Sequence, residues 1–138
     1  MRIMGLDVGE RKIGISLSDP TFSIALAHKV YRRSSMKEDL EEFKKIVENY
    51  DIKEIVIGLP KNLNGTIGKK AKEIINFAEE IEKYTLIPIA LWDERFSTNE
   101  AHRILEMAQI KHKKRRPLLD MMASQIILQG YLDAHKKR

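Results

Sequence analysis

Residues 1 to 19, MRIMGLDVGERKIGISLSD, contain two apolar runs that a short polar segment separates. The runs RIMGLDV and KIGISLS have the composition of β-strands, and the GER between them is short enough for a hairpin turn. One carboxylate, Asp7, interrupts the first run. Burying a carboxylate in an apolar strand is unfavourable unless it is paired, hydrogen-bonded or bound to a metal. The stretch therefore predicts a hairpin that begins the fold and contains an acidic group that needs an explanation.

The rest of the chain predicts one more strand and then alternating helices and strands. After a strand at residues 24–31 the apolar period changes from two to about 3.6, and Ser35 and Glu38 have the spacing of a capping box. The later elements are a helix with Met36, Leu40, Phe43, Val47 and Tyr50 on one face, a buried strand at 54–60, a helix with the stripe Ile67, Ala71, Ile74, Ala78 and Ile81, a strand at 86–92, a helix at about 98–108, and a last helix that has Pro117 in its first turn and reaches about Ala134. This order predicts an α/β fold with a mixed five-stranded sheet and helices on both faces.

Composition limits the class of protein. The 138 residues, 43% hydrophobic and 33% charged, predict a soluble protein with one domain over residues 1–138. The chain has no cysteine, which excludes a disulfide framework and thiolate metal sites and favours the cytoplasm. It shows no signal peptide, and no apolar run approaches the ~18 residues that span a bilayer. We therefore expect a cytoplasmic protein with no membrane partner.

The positive charge is concentrated at the C-terminal end. The net charge is +5, and residues 111–138 contain eight basic and two acidic residues. The run KHKKRR, residues 111–116, is the densest part. It could be a solvated charged loop, but like charges this close repel one another unless a polyanion is nearby. The distribution slightly favours a nucleic-acid partner.

Three groups of carboxylates need an explanation, and each has a structural alternative. Asp7 lies between Gly5 and Gly9, and it could simply accept hydrogen bonds in the turn. Asp93 and Glu94 follow the fifth strand, at the sheet end where α/β proteins bind ligands, although acids there also favour a helix N-terminus. Asp120 lies near the start of the last helix, where the same dipole effect applies. The residues alone leave these alternatives open.

Four segments in this order strengthen the functional interpretation: GLDVGERKIGISLSD, VIGLPKNLNGTIGKKA, DERFSTNEAHRIL and DMMASQIILQGYL. Together they resemble the YqgF/RuvX family of Holliday junction resolvases and ribosomal RNA precursor nucleases, which has the RNase H-like fold. The resemblance covers nearly the whole chain. Ser124 stands where the family usually has an alanine, and the basic run is rich in arginine. The resemblance, together with the order of elements, implies a sheet whose first strand is central.

The resemblance also implies a catalytic site. Asp7, Glu94 and Asp120 would converge at one end of the sheet and bind divalent metal, as Mg²⁺ or Mn²⁺, with two ions about 3.5 to 4 Å apart. The family pattern favours Glu94 as the ligand, while Asp93 could lie behind it or reach the metal instead. The loop after the fourth strand, with Asn62, Asn64 and Gly65, resembles a family loop that could contact phosphate, although an ordinary strand-to-helix turn explains it equally well.

Basic side chains would bind the phosphate backbone rather than read bases. Arg95 could contact a phosphate or pair with a neighbouring acid. The other candidates all belong to the basic run: Lys111, Lys113, Lys114, Arg115 and Arg116.

Three functions follow, in descending order of support. The first is a metal-dependent endonuclease acting on structured nucleic acid, either ribosomal RNA precursor or a branched DNA such as a Holliday junction. The second is a nucleic-acid-binding factor in transcription or ribosome assembly that has no cleavage activity. The third is a phosphotransferase or ATPase, which the length disfavours because such enzymes enclose nucleotide between two domains of this fold. The sequence does not decide between RNA and DNA, the cleavage site, or monomer and homodimer.

Overall fold

The computed structural model describes residues 1–62, 64–93 and 112–135, with side chains from residue 122 onward in the last range. The described elements alternate after the first three strands. They are β1 (Arg2–Val8), β2 (Lys12–Ser18), β3 (Ala25–Arg32), α1 (Met36–Tyr50), β4 (Ile52–Leu59), α2 (Lys69–Thr85), β5 (Ile89–Asp93) and α3 (His112–Ala134). No helix in these ranges has the length and apolar composition that crossing a bilayer requires.

The five strands form one mixed sheet in the order β3-β2-β1-β4-β5. β1 pairs antiparallel with β2 and parallel with β4, and β4 pairs parallel with β5. The sheet and the central position of β1 confirm the sequence prediction. Because β1, β4 and β5 run in one direction, their carboxyl ends lie at the same edge of the sheet.

The side chains of β1 alternate between the two faces of the sheet. Met4, Leu6 and Val8 belong to a core built with α1 and α2. Ile3 belongs to a second core on the other face, with Val56 and residues of α3. The predicted helices on both faces are therefore confirmed, and Asp7 shares the α3 face because it is four residues after Ile3.

Local signals predicted most element ends, and the exceptions have local causes. Ser35 Oγ accepts the Glu38 backbone N–H at 3.1 Å, which confirms the predicted cap of α1. Two other boundaries were wrong. Ile67 is exposed and precedes α2, which begins after Gly68. Leu86 ends α2 in the left-handed conformation (φ 61°), and Pro88 lacks the N–H that strand pairing uses, so β5 begins only at Ile89.

The start of the last helix differs from the prediction. α3 begins at His112, so Pro117 is its sixth residue rather than part of its first turn, and Asp120 is its ninth. The basic residues 113–116 are therefore helical and do not form a loop. Lysine and arginine are good helix formers, which favours this extension, although Pro117 removes the hydrogen bond to the carbonyl of residue 113. The predicted helix at about 98–108 lies outside the described residues.

α3 packs directly on the backbone of the central strand at Gly5. A Cβ at Gly5 would lie 2.5 Å from Ser16 Oγ and 2.8 Å from Leu128 Cβ. Ser124 Oγ donates to the Gly5 carbonyl oxygen at 2.9 Å, and Ser16 Oγ donates to the Ser124 carbonyl oxygen at 3.0 Å. Both serines are fully buried. Their hydrogen bonds satisfy the polar groups that this close approach removes from water.

The contact at Gly5 predicts a specific loss of stability. Gly5→Ala should lower the free energy of unfolding by about 1 to 3 kcal/mol, because Leu128 or the strand must move to admit the methyl group. Urea denaturation measures this change. Gly68→Ala is the control, since its Cβ would meet only Asn62 side-chain atoms at 3.6 Å or more, and it should change stability by less than about 1 kcal/mol. Equal losses in the two variants would contradict the close packing.

Candidate active site

Asp7 lies at the carboxyl end of the central strand, paired with Gly14 of β2. Its side chain is half-buried. Gly14 has no side chain, so the β2 partner leaves the surroundings of Asp7 open on that side. A cleft of about 220 Å³ lies here, lined by Asp7 and by five residues of the hairpin: Gly9, Glu10, Arg11, Lys12 and Gly14.

The turn between β1 and β2 is tight. The Gly9 backbone N–H donates to the Lys12 carbonyl oxygen at 2.9 Å. A Cβ on Gly9 would lie 2.8 Å from that same oxygen, so a larger residue would open the turn. The turn presents Arg11 and Lys12, both exposed, beside Asp7. Neither cation was among the residues predicted to contact phosphate, although their position five residues or fewer after Asp7 in a hairpin was a usable signal.

α3 runs along β1 in the opposite direction. Tyr131 and Leu132 line a cavity together with Ile3, whereas Ser124 and Leu128 lie against Gly5. The N-terminal part of α3 therefore lies nearer to the carboxyl end of β1. Asp120 is one helical turn before Ser124, or about 6 Å of rise, and Asp7 is two strand residues after Gly5, or about 6.6 Å. The two backbones bring these positions to the same end of the α3 face.

Asp93 lies on the other face of the sheet from Asp7. It ends β5 and pairs with Leu59, whose side chain belongs to the core formed with α1 and α2. The preceding residue, Trp92, packs against the core under α3. Successive side chains of a strand point to opposite faces of the sheet, so Trp92 shares the face of Asp7 and Asp93 does not. Glu94 lies outside the described residues.

The loop after β4 uses its polar side chains to stabilise itself. Asn64 Oδ1 accepts hydrogen bonds from the Thr66 N–H and hydroxyl at 3.1 and 2.7 Å, and Asn62 Nδ2 donates to Thr66 Oγ1 at 2.9 Å. Gly65 has a φ of 86°. The loop leads to Gly68, which caps α2 without a side-chain hydrogen bond. An anion at this end would meet free backbone N–H groups and Lys69 and Lys70 of the first turn.

A buried carboxylate holds the hairpin turn from the α1 side. Asp39 is 1% exposed and accepts hydrogen bonds from the Tyr31 hydroxyl and the Ser34 N–H, both at 2.8 Å. It also pairs with Arg33 Nε at 3.4 Å, and Arg33 donates to the Gly9 carbonyl oxygen at 2.9 Å. Burial and the Asp39 carboxylate raise the pKa of Tyr31 to about 12. Arg33 thus connects the turn beside Asp7 to α1.

This network predicts that Asp39 is structurally required. Asp39→Ala should lower the free energy of unfolding by about 2 to 4 kcal/mol, because it leaves the Arg33 and Tyr31 donors without their partner. Glu38→Ala, one residue earlier at an exposed position, should lower it by less than about 1 kcal/mol. Urea denaturation of both variants provides the comparison, and similar values for the two would show that the network contributes nothing specific.

The remaining predicted site residues lie outside what the structure describes. Glu94, Arg95 and Lys111 fall between the described ranges, and the side chains of Asp120 and of Lys113, Lys114, Arg115 and Arg116 are not described. Among the side chains that are described, no three acidic or histidine groups cluster to hold a metal. Of the three predicted ligands, the described side chains include Asp7 alone.

Sequence comparisons extend over nearly the whole chain. A sequence model of the family described as "RuvX: Holliday junction resolvase" matches residues 1–134. A protein of Thermoanaerobacter pseudethanolicus named "Putative pre-16S rRNA nuclease" is 45% identical over 139 residues, which cover 100% of both chains.

Structural comparisons agree on the fold. The Thermus thermophilus RuvC complex with a Holliday junction substrate has a TM-score of 0.60 at 13% identity, covering 97% of this chain and 94% of that one. The fowlpox virus resolvase in complex with Holliday junction DNA has a TM-score of 0.60 at 14% identity, covering 99% and 100%. At such low identities the likeness establishes the architecture alone, and it confirms the RNase H-like fold that the family resemblance implied.

Proposed function

Because the chain belongs to the RuvX family of Holliday junction resolvases, we propose that it is a divalent-metal-dependent endonuclease that hydrolyses phosphodiester bonds in structured nucleic acid. The observation that supports this most is the relation between β1 and α3. Their close contact at Gly5 and Ser124 directs Asp7 and the Asp120 position to one end of one sheet face.

Three carboxylates form the proposed catalytic set: Asp7, Glu94 and Asp120. The direction of α3 supports Asp120, as described above. The alternation along β5 supports Glu94 over Asp93, since the pair Leu59 and Asp93 belongs to the opposite face. A rigid central strand holds Asp7 with little freedom, which suits a group that must keep a fixed position during catalysis.

The donor set fits a hard divalent cation. Carboxylate oxygens are the ligands that Mg²⁺ and Mn²⁺ favour, and the chain has no cysteine to favour a softer metal. Asp7, Glu94 and Asp120 would hold two ions of this kind. Such ions, when bound, would supply electrostatic stabilisation of the charge that develops on the phosphate oxygens. Arg11 and Lys12, which line the cleft with Asp7, would bind and orient the flanking phosphates.

The substrate is proposed as RNA precursor or branched DNA, since the T. pseudethanolicus relative is named for pre-16S rRNA and the two solved structures contain Holliday junction DNA. Phosphate contacts would come from Arg95, from the loop with Asn62, Asn64 and Gly65, and from the basic residues Lys111, Lys113, Lys114, Arg115 and Arg116. We also propose that residues 1–138 form a single domain. A cytoplasmic location suits ribosomal RNA processing and is part of the same proposal.

The carboxylates can be tested by matched substitutions. Asp7→Asn, Glu94→Gln and Asp120→Asn should each reduce cleavage at least about 1,000-fold, because each removes an anionic ligand that would hold the divalent ions at the reacting phosphate. Asp93→Asn is the control on the other sheet face and should stay within about tenfold of wild type. The assay uses pre-16S rRNA and four-way DNA junctions with Mg²⁺, Mn²⁺ or EDTA. Full cleavage by Asp7→Asn, after contaminating nucleases are excluded, would refute the proposed mechanism.

Thermal melting of the same variants tests independently whether these carboxylates bind metal. Three adjacent carboxylates repel one another without metal, so each substitution should leave the metal-free melting temperature equal or raised. Mg²⁺ or Mn²⁺ should stabilise the wild type more than the variants. A metal-induced shift of equal size in Asp7→Asn and wild type would exclude Asp7 as a ligand.

The basic segment of α3 predicts a change in salt dependence. Replacing Lys113, Lys114, Arg115 and Arg116 by glutamine should weaken binding to all sequences and reduce the slope of log affinity against log salt by about 1 to 3, because fewer counterions are released. Lys44→Gln with Lys45→Gln, exposed on α1, is the control and should keep the wild-type slope. Titrations at several salt concentrations measure both. An unchanged slope in the α3 variant would exclude this segment as the phosphate contact.

The cleavage assay also decides the alternative of a binding factor without activity. If the protein is such a factor, the wild type would bind RNA or junctions but would leave the same amount of substrate uncleaved in Mg²⁺, Mn²⁺ and EDTA.

A further inference from the structure

A second cavity, of about 610 Å³, lies at the opposite end of the sheet from Asp7. It contacts Ile3 at the start of β1, which is about 13 Å along the strand from Asp7. The other walls come from residues 21–23 of the β2–β3 loop, from Lys53 and Glu54 of β4, and from the last turn of α3. Its volume is typical of small-molecule and cofactor sites. The carboxylate site described above makes no use of it.

The lysine in this cavity is placed there by a β-bulge. Arg2 pairs with Ile52 and the next residue, Ile3, pairs with Glu54, so Lys53 has no partner in β1. A bulge redirects a side chain, and Lys53 and Glu54 consequently line the same cavity although they are neighbours on one strand. The Lys53 ammonium lies 4.2 Å from the centre of the Phe22 ring. No carboxylate forms a salt bridge with it in the described part of the chain.

The Phe22 ring is held in place by a constrained loop. Phe22 has a φ of 61°, a left-handed conformation that bulky residues rarely adopt. Asp19 stabilises the loop by accepting hydrogen bonds from the backbone N–H groups of Thr21, Ser23 and Ile24. Gln129 of α3 donates to the Ser23 carbonyl oxygen at 3.0 Å. These hydrogen bonds hold the loop, and with it the Phe22 ring, at the cavity wall despite the unfavourable backbone conformation.

α3 supplies a second aromatic wall and β4 a carboxylate. The rings of Tyr131 and His135 stack with centroids 4.0 Å apart. The Tyr131 hydroxyl donates to Glu54 Oε1 at 2.9 Å, and burial together with this carboxylate raises the pKa of Tyr131 to about 12. Glu54 Oε2 accepts no hydrogen bond from any described residue. The cavity thus combines aromatic walls, a lysine that lies over the Phe22 ring, and a carboxylate oxygen that accepts no hydrogen bond from the described residues.

We propose that this cavity binds one unpaired nucleotide, with its base against the aromatic wall of Tyr131 and His135 and its phosphate on Lys53. A base with an exocyclic amino group would donate to Glu54 Oε2, as carboxylates accept from cytosine N4 in nucleic-acid complexes. A bare phosphate would make no contact with the aromatic wall and could not donate to Glu54 Oε2, and a purely apolar ligand would leave the Lys53 charge without an anion. The nucleotide is either part of the substrate strand, which rests on the proposed function, or a free nucleotide.

Adenosine 5′-monophosphate is the first probe, titrated into metal-free wild-type protein in EDTA and followed by amide NMR. Saturable shifts should appear at residues 21–23, 53–54 and 131–135. Adenosine and inorganic phosphate, tested separately, should each bind at least about tenfold more weakly, because each lacks one half of the recognition. The absence of saturable shifts at these residues would overturn the proposal.

Matched lysine variants test the contact. Lys53→Gln should weaken binding of the nucleotide at least about tenfold, since a charge-assisted contact is lost, while Lys45→Gln on the exposed side of α1 should have the wild-type affinity. NMR spectra confirm that both variants are folded. Equal affinities for the two variants would also overturn the proposal.

An oligoadenylate strand distinguishes the two sources. Displacement of the mononucleotide by the strand at lower nucleotide concentration indicates a strand-binding site, and failure to displace it indicates a site for free nucleotide. The same titrations on Asp7→Asn separate this proposal from the proposed function. The mononucleotide should bind this variant as it binds wild type, whether or not the variant cleaves nucleic acid.

Discussion

The contact of α3 with the backbone of β1 at Gly5 positions the rest of the functional structure. It requires a residue without a side chain on the strand, because Ser16 Oγ and Leu128 Cβ occupy the space that a Cβ would need. It also requires that the buried hydroxyls be satisfied, which the bonds among Ser16, Ser124 and the Gly5 carbonyl achieve. The Ser124 hydroxyl, 2.9 Å from Ser16 Oγ, therefore has a structural role in this contact.

One helix consequently determines both ends of the sheet face. The N-terminal part of α3 brings the Asp120 position towards Asp7, and its last turn brings Tyr131, and with it His135 just after the helix, to the cavity beside Lys53. Because a helix is rigid over this length, displacement at Gly5 would move both regions together. The positions of the proposed catalytic site and of the proposed nucleotide site therefore both depend on the contact of α3 with Gly5, although no residue belongs to both sites.

The hairpin beside Asp7 has a separate support on the other face. Arg33 connects the Gly9 carbonyl to the buried Asp39 and also lies 4.7 Å from the Phe77 ring of α2. The turn is thus held against α1 and α2, while the strand that precedes it is held against α3. The spacing of apolar residues could not predict the support from α1, because Arg33 and Asp39 are polar residues, one just after β3 and the other in the first turn of α1.

The sequence by itself determined the order of the described strands and helices, and it indicated the family. Short apolar runs between turns predicted the strands, the period of 3.6 predicted α1 and α2, and four ordered segments indicated the family. Errors arose where one residue decided a boundary. Leu86 and Pro88 ended a helix and delayed β5, and the helix-forming lysines and arginines extended α3 to His112 despite Pro117.

Only the tertiary structure decided which groups share a face and a cavity. The separation of Asp93 from Asp7 depends on the register of β5 against β4, and the cavity at Lys53 depends on a one-residue bulge against β1. A periodic pattern reflects the average environment of many residues, so it stays the same when the register of one strand changes or a bulge is inserted. Register, bulges and close backbone contacts depend on single residues distant in sequence, so they become visible only once the strands and α3 are packed together.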